Sequence, residues 1–269
     1  MKYSLVISTT DASFDALAFK GDLMKGVKMA KELGYDAVEI AIRDPRSVDV
    51  KTLMDLLEKE AMVVSAIGTG QAFLSDKLSL SSLDEDVRKK AIERLKDHID
   101  FAESVGGHVI IGLIRGFFGK EREKAYEKLV ESVKELCSYA VEKDVKLVVE
   151  PINRYECDNM NTVEETLKFL EDVDCQNVGL LLDTFHMNIE EPIIEESIKK
   201  AGDRLYHFHV ADSNRWAPGC GHIDFKSIMR VLKDIEYDGF VSVECLPLPG
   251  GPEESAKIAL KTLKECEGG

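Results

Sequence analysis

Short runs of β-branched and apolar residues recur along the chain, and between them the apolar positions shift to a three-to-four-residue spacing. The runs YSLVIS (3–8), DAVEIA (36–41), VVSAIG (63–68), HVIIGL (108–113), KLVVE (146–150), VGLLLD (178–183), LYHFHV (205–210) and FVSVE (240–244) read as strands. Longer segments such as DVRKKAIERLKDHIDFAESV and YEKLVESVKELCSYAVEKD place apolar residues at i, i+3, i+4 and i+7, the signature of helices with one buried face. Glycines close helical stretches before the next strand at Gly34, Gly106, Gly107 and Gly239.

Strands that are nearly all apolar are buried on both faces, which points to a parallel sheet covered by helices. Eight strand–helix alternations in 269 residues suit an α/β fold closed as a (β/α)8 TIM barrel better than an open doubly wound sheet. No Gly-rich phosphate fingerprint follows the first strand, and GTG at 68–70 is too short to count as one. With no linker and no low-complexity stretch, residues 1–269 are expected to form one barrel domain.

Active sites of such barrels lie at the C-terminal ends of the strands. The fifth strand ends in Glu150, the sixth in Asp183, the seventh contains His209 and the eighth ends in Glu244. Side chains alternate across a strand, so an inward Glu150 takes Val148 with it, Asp183 takes Leu181, and Glu244 takes Ser242. Val149, Val243 and Cys245 then face the helices, and His207 points inward one layer below His209. Each charge alone could be an ordinary group at the barrel rim. Four from adjacent strands indicate a shared site.

Three carboxylates and one imidazole suit a divalent cation, Mn²⁺ first, with Co²⁺ and Mg²⁺ as alternatives. Zinc more usually recruits further nitrogen or sulfur ligands. Packed carboxylates repel unless protonated or neutralised, and a dication neutralises them.

Composition narrows the partners. Hydrophobic residues make up 44% and charged residues 32%, as in an ordinary globular protein. A net charge of −15 without a basic patch argues against nucleic acid. No apolar run approaches membrane-spanning length, and the N-terminal MKYSLVISTTDASFD is too short in apolar residues for a signal peptide. Six cysteines without CxxC spacing read as reduced thiols of a cytoplasmic protein.

The blocks VVEPINRYE (148–156), LLDTFHMN (181–188), HFHVADSNRWAPGCGHIDF (207–225) and VSVECLP (241–247) resemble those of the sugar isomerase/epimerase barrels related to xylose isomerase. Within that family they are most similar to the ketose 3-epimerases, the D-tagatose and D-psicose 3-epimerase group. The resemblance covers essentially the whole chain and is most specific in these four blocks. It implies that Glu150, Asp183, His209 and Glu244 hold the metal, and that Glu150 and Glu244 are the paired acid and base. It further implies that Glu156, His186 and Arg215 hold substrate, a small free sugar, and that the chain assembles as a homodimer or homotetramer.

The implied chemistry is proton exchange at C3 of a ketose through a cis-enediolate. A carboxylate base alone supplies about 10²- to 10⁴-fold, too little for so weak a carbon acid, so a metal must stabilise the enediolate oxygens. Glu150 and Glu244 leave strands three positions apart around the ring and can flank a planar intermediate. The alternatives on the same ligands are an aldose–ketose or hydroxypyruvate isomerase, an inosose dehydratase, or an epimerase of a sugar phosphate.

Several neighbours take blander readings. His207 is expected to be a core group or a support for the site, Glu39 a partly buried ion pair in preference to a support for the metal ligands, and His222 a loop residue. Trp216 could wall the sugar or anchor its loop. PGCG (218–221) is expected to let that loop fold over the barrel mouth. Cys245 and Cys220 lack a base beside them. LPLPGGPEES (246–255), which could cradle phosphate before a helix, holds no Lys or Arg and reads as a turn. The barrel also serves apurinic endonucleases, but their metal cluster needs more strand-end histidines than this chain supplies.

Overall fold

The computed structural model describes residues 1–9 and 19–268. Eight parallel strands close into a barrel: β1 (Lys2–Thr9), β3 (Ala37–Ala41), β4 (Val63–Gly68), β5 (His108–Ile111), β6 (Leu147–Val149), β7 (Val178–Asp183), β8 (Leu205–Val210) and β9 (Phe240–Val243). Each pairs with the next in sequence order, and β1 pairs with β9 to shut the ring. All eight expected strands are present. A ninth short strand, β2 (Phe19–Gly21), adds to the free edge of β1 near its end. Three residues carry no readable period, so this strand was invisible in the pattern. Thr10–Asp15 of the N-terminal stretch lies outside the described residues.

Ten α-helices lie among the described residues: α1 (Leu23–Leu33), α2 (Val50–Glu60), α3 (Gly70–Asp76), α4 (Glu85–Val105), α5 (Arg122–Glu142), α6 (Val163–Val173), α7 (Thr184–Glu190), α8 (Ile194–Ala201), α9 (Phe225–Asp234) and α10 (Pro252–Glu267). Aspartates cap many N-termini, as where Asp84 accepts from the amides of Asp86 and Val87, and Thr162 with Glu165 forms a capping box on α6. Gly34 closes α1 in the left-handed region at φ 89°, which a side chain would resist. Gly239 closes no helix: α9 ends at Asp234, and Gly239 instead leaves room for the Tyr237 ring.

The alternation fixes which side of the wall each residue faces. Val149, Val243 and Cys245 belong to the large apolar layer between strands and helices, whereas Ala66, Ile110, Val148 and Leu181 pack together inside the barrel. The remaining interior is polar, with Ser4 hydrogen-bonded to Ser65 at 2.7 Å and with Glu39, His207 and Ser242 linked. That inner column leads up to the site.

The cysteines differ from expectation. Cys137 on α5 and Cys175 after α6 are joined in a disulfide, their Cα atoms 6.7 Å apart, while Cys157, Cys220, Cys245 and Cys266 are free thiols. The pair is 38 residues apart in sequence, so no local spacing announces it. No described helix is long and apolar enough to cross a membrane.

Candidate active site

Register brings the four expected ligands to one height. Asp183 lies beside His209 across β7–β8, and His209 lies beside Ser242 across β8–β9. Glu150 and Glu244 continue their ladders by donating backbone N–H to Ile111 and Val210, each at 3.3 Å. Ligand atoms of Glu150, Asp183, His209 and Glu244 all fall within 4.8 Å of one another. From His209 Nδ1 it is 3.6 Å to Glu244 Oε2 and 4.0 Å to both Glu150 Oε1 and Asp183 Oδ2.

Two atoms of this cluster test its fit to a cation. Asp183 uses Oδ1 to cap α7, accepting from Phe185 N at 2.7 Å. Its Oδ2 and the Nδ1 of His209 are buried without any hydrogen-bond partner. Such orphans are rare in native interiors, and a divalent ion satisfies both at once. The donor set can hold one divalent cation with Glu150, Asp183, His209 and Glu244.

The electrostatics agree. Burial first, then the charges of Glu244 and Asp183, pushes the Glu150 carboxyl up to about 8 against the pull of His209 and Arg115. Burial and then Glu244 raise Asp183 to about 6. Without a cation the site cannot hold all its carboxylates ionised near neutrality.

Glu39, for which a partly buried ion pair was expected ahead of a supporting role, is 1% exposed and sits beneath the cluster. Its Oε2 accepts from His207 Nε2 at 2.8 Å, His209 Nε2 at 2.9 Å and Ser242 Oγ at 2.9 Å. Burial opposes its charge, but His209 and the two imidazole hydrogen bonds outweigh that and hold it well below the usual carboxylate range. His209 turns Nε2 to Glu39, so its Nδ1 faces the carboxylates. Burial opposes its charge, but Glu39 and Glu244 outweigh that and raise the metal-free ring well above the ordinary imidazole range. A cation at Nδ1 would take the place of the proton there while Nε2–H stays on Glu39. His207 is the lower support.

The three residues expected to hold substrate lie on one side of the cavity above the cluster. Arg215 Nη1 donates to Glu156 Oε1 at 2.8 Å, its Nη2 lies 3.9 Å from Glu244 Oε2, and its guanidinium stacks 4.7 Å from the Phe185 ring centroid. Asn153, which the sequence reading did not single out, ties Glu156 to His186. Its Nδ2 donates to Glu156 Oε1 at 3.0 Å and to His186 Nδ1 at 2.8 Å, while its Oδ1 accepts from Tyr155 N. His186 therefore carries its proton on Nε2, 3.7 Å from Glu150 Oε1. Burial, with the Arg215, His209 and Arg115 charges, holds this ring well below the ordinary imidazole range, so it is a neutral donor.

The loop after β8 is knotted on Asp212, also unanticipated and 0% exposed. Its carboxylate accepts from the amides of Ser213, Gly219 and Ile223 at 2.8, 2.9 and 3.1 Å. The knot sets Arg215 at φ 62°, a left-handed conformation that favours glycine. Leu246 N grips the Arg215 carbonyl at 2.8 Å. Trp216 is absent from the cavity wall and 40% exposed, which leaves its anchoring reading. His222 stays in the loop, 3.0 Å from Ser213 Oγ.

The cavity measures about 610 Å³ counted out to its mouth. Leu74, Ile110, Leu113 and Ile152 line its apolar side, and Arg215 is its sole Lys or Arg among the described residues. At the start of α10, Glu253 and Glu254 occupy the first turn. The turn reading of 246–255 fits this better than a phosphate cradle.

The sequence profile of the xylose isomerase-like TIM barrels matches residues 27–266. The chain belongs to that family. It is 36% identical to the L-ribulose 3-epimerase of Methylomonas sp. (strain DH-1), over 85% of this chain and 82% of the relative. It is 32% identical to the D-psicose 3-epimerase of Enterocloster bolteae, over 86% and 79%. A crystal structure of D-allulose 3-epimerase from Methylomonas sp. in complex with D-allulose superimposes with a TM-score of 0.84 at 29% identity, covering 98% of this chain and 96% of that one. These xylose isomerase-like relatives are carbohydrate epimerases of the isomerase class.

Proposed function

We propose that the chain is a divalent-metal-dependent ketose 3-epimerase acting on free ketohexoses of the D-tagatose/D-sorbose and D-fructose/D-psicose type, with Mn²⁺ as its ion. The carrying observation is the pair of carboxylates, Glu150 and Glu244, brought from separated strands to the rim of one cation-binding cluster. The bound ion would supply charge stabilisation for the oxygens at C2 and C3. Glu150 and Glu244 exchange the C3 proton from opposite faces of the enediolate, and their roles swap with direction. Neutral His186 donates through Nε2 to a sugar oxygen, and Arg215, braced by Glu156 and Phe185, orients the hydroxyls.

Two observations favour unphosphorylated sugar. Arg215 already pairs with Glu156, and the described cavity wall offers no second cation. The test strips the protein with chelator, reloads it with Mn²⁺, Co²⁺ or Mg²⁺, and separates products from D-fructose, D-tagatose and D-psicose by chromatography. A C3 epimer formed only in the loaded protein supports the reading. An aldose product or turnover of sugar phosphates alone overturns it. The homodimer or homotetramer implied by the resemblance accompanies this reading, and sedimentation tests it directly.

A further inference from the structure

Arg115 is among the largest fully buried side chains of the molecule, with 0% exposure. A buried guanidinium is costly unless its charge and donors are met. Among the described residues, every hydrogen bond it makes goes to an uncharged oxygen. Nε donates to Asn159 Oδ1 at 2.9 Å, Nη1 to the Glu150 and Gly112 carbonyls at 2.6 and 3.3 Å, and Nη2 to the Asn159 and Met160 carbonyls at 3.1 and 3.4 Å.

Those oxygens mark out a pattern. Gly112 belongs to the turn that carries Arg115 itself, Glu150 ends β6, and Asn159 and Met160 precede α6. One rigid fork thus pins both ends of the segment from Glu150 to Met160. That segment holds Glu150, Asn153 and Glu156. Met160 is held at φ 45°, a strained turn that needs such a restraint, and Asn159 Nδ2 adds a bond to the Gly116 carbonyl at 2.9 Å.

We infer that Arg115 is the positioning residue of this segment: it fixes the Glu150–Met160 loop at both ends and, through the loop, the places of Glu150 and Glu156. Arg115 touches no substrate in this arrangement. What the two glutamates do there rests on the function proposed above, but the clamp itself does not.

The test compares Arg115→Met and Arg115→Lys with the wild type by hydrogen exchange and mass spectrometry of the whole chain, without ligand, together with kcat and KM of the Mn²⁺-loaded enzymes. In Arg115→Met, exchange should rise in peptides covering 150–160 while the barrel strands keep their protection. Its kcat/KM should fall by about 10²-fold, shared between kcat and KM because Glu150 and Glu156 move together. Arg115→Lys should recover part of both, since an ammonium reaches only some of the five oxygens. The clamp is refuted if the loop of Arg115→Met exchanges as in wild type, or if Arg115→Lys matches wild type throughout. It is equally refuted if exchange rises over the whole barrel in both variants, or if neither folds. A wild-type protein without 3-epimerase activity would refute the proposed function and leave the exchange contrast to decide the clamp.

Discussion

Replacing Glu39 by Gln tests whether the buried column beneath the cluster sets the metal site. Oε2 of Glu39 receives three buried donors, from His207, His209 and Ser242, at 2.8 to 2.9 Å. Hydrogen bonds to a charged acceptor contribute roughly 1.5–3 kcal/mol and neutral ones roughly 0.5–1.5, so the bond to His209 alone weakens by about 1 to 2 kcal/mol. Glutamine also replaces the second acceptor oxygen by an amide nitrogen that only donates, so that atom can take none of the three donors. Loss of a partner that orients a metal-bound histidine typically lowers affinity about 10- to 100-fold, or about 1.4 to 2.8 kcal/mol, which matches the bond estimate. The assay is calorimetric titration of chelator-stripped Glu39→Gln with Mn²⁺, with circular dichroism confirming the fold. Ser242→Ala, which removes one donor and leaves both imidazoles bonded, should change the affinity by less than about threefold. A Glu39→Gln protein with wild-type Mn²⁺ affinity would refute the reasoning, and so would an equal loss in both variants.

Other consequences follow from the same geometry. Glu150 and Asp183 are raised in the metal-free chain to about 8 and about 6, so both are more protonated when folded than when unfolded. Their contribution to metal-free stability is present below about pH 4 and is lost as pH rises toward 8. The metal-free Tm should therefore fall across that window while the Mn²⁺-loaded Tm does not; parallel curves would contradict the assignment. A methyl at Gly112 would sit 2.7 Å from Glu150 Oε2, so Gly112→Ala should lower kcat by about 10²-fold in steady-state assays with little change in Tm. The Cys137–Cys175 bridge closes 38 residues, for which chain entropy predicts about 4 kcal/mol. Reduction should lower Tm and raise the count of titratable thiols by two, and an unreduced protein that already titrates all six contradicts the bridge.

The barrel was legible because its signals are periodic. Strands apolar on both faces recur, and Glu150, Asp183, His209 and Glu244 stand out as polar residues ending them. Alternation also foretold which side Val148, Val149 and Ser242 would face. The missed residues act through contacts that carry no period. Arg115 works by binding backbone carbonyls of another segment and Asp212 by gathering amides along its own irregular loop, and no composition rule marks such partners. Asn153 lay in view within NRYE, yet its use became clear only when His186 came within 2.8 Å of it. Support of the ligands by Glu39 is only the lesser reading of its sequence context, because its partners lie 168 and 170 residues away. The disulfide was hidden in the same way, since α5 and the end of α6 meet only in the closed ring.

The most direct measurement follows the proton itself. Mn²⁺-loaded protein is given D-fructose or D-psicose in deuterated water while NMR watches C1 and C3. The account predicts deuterium at C3 together with the 3-epimer, and its loss in both Glu150→Gln and Glu244→Gln. Deuterium at C1 with an aldose product, or no exchange at C3 in the loaded wild type, would contradict it.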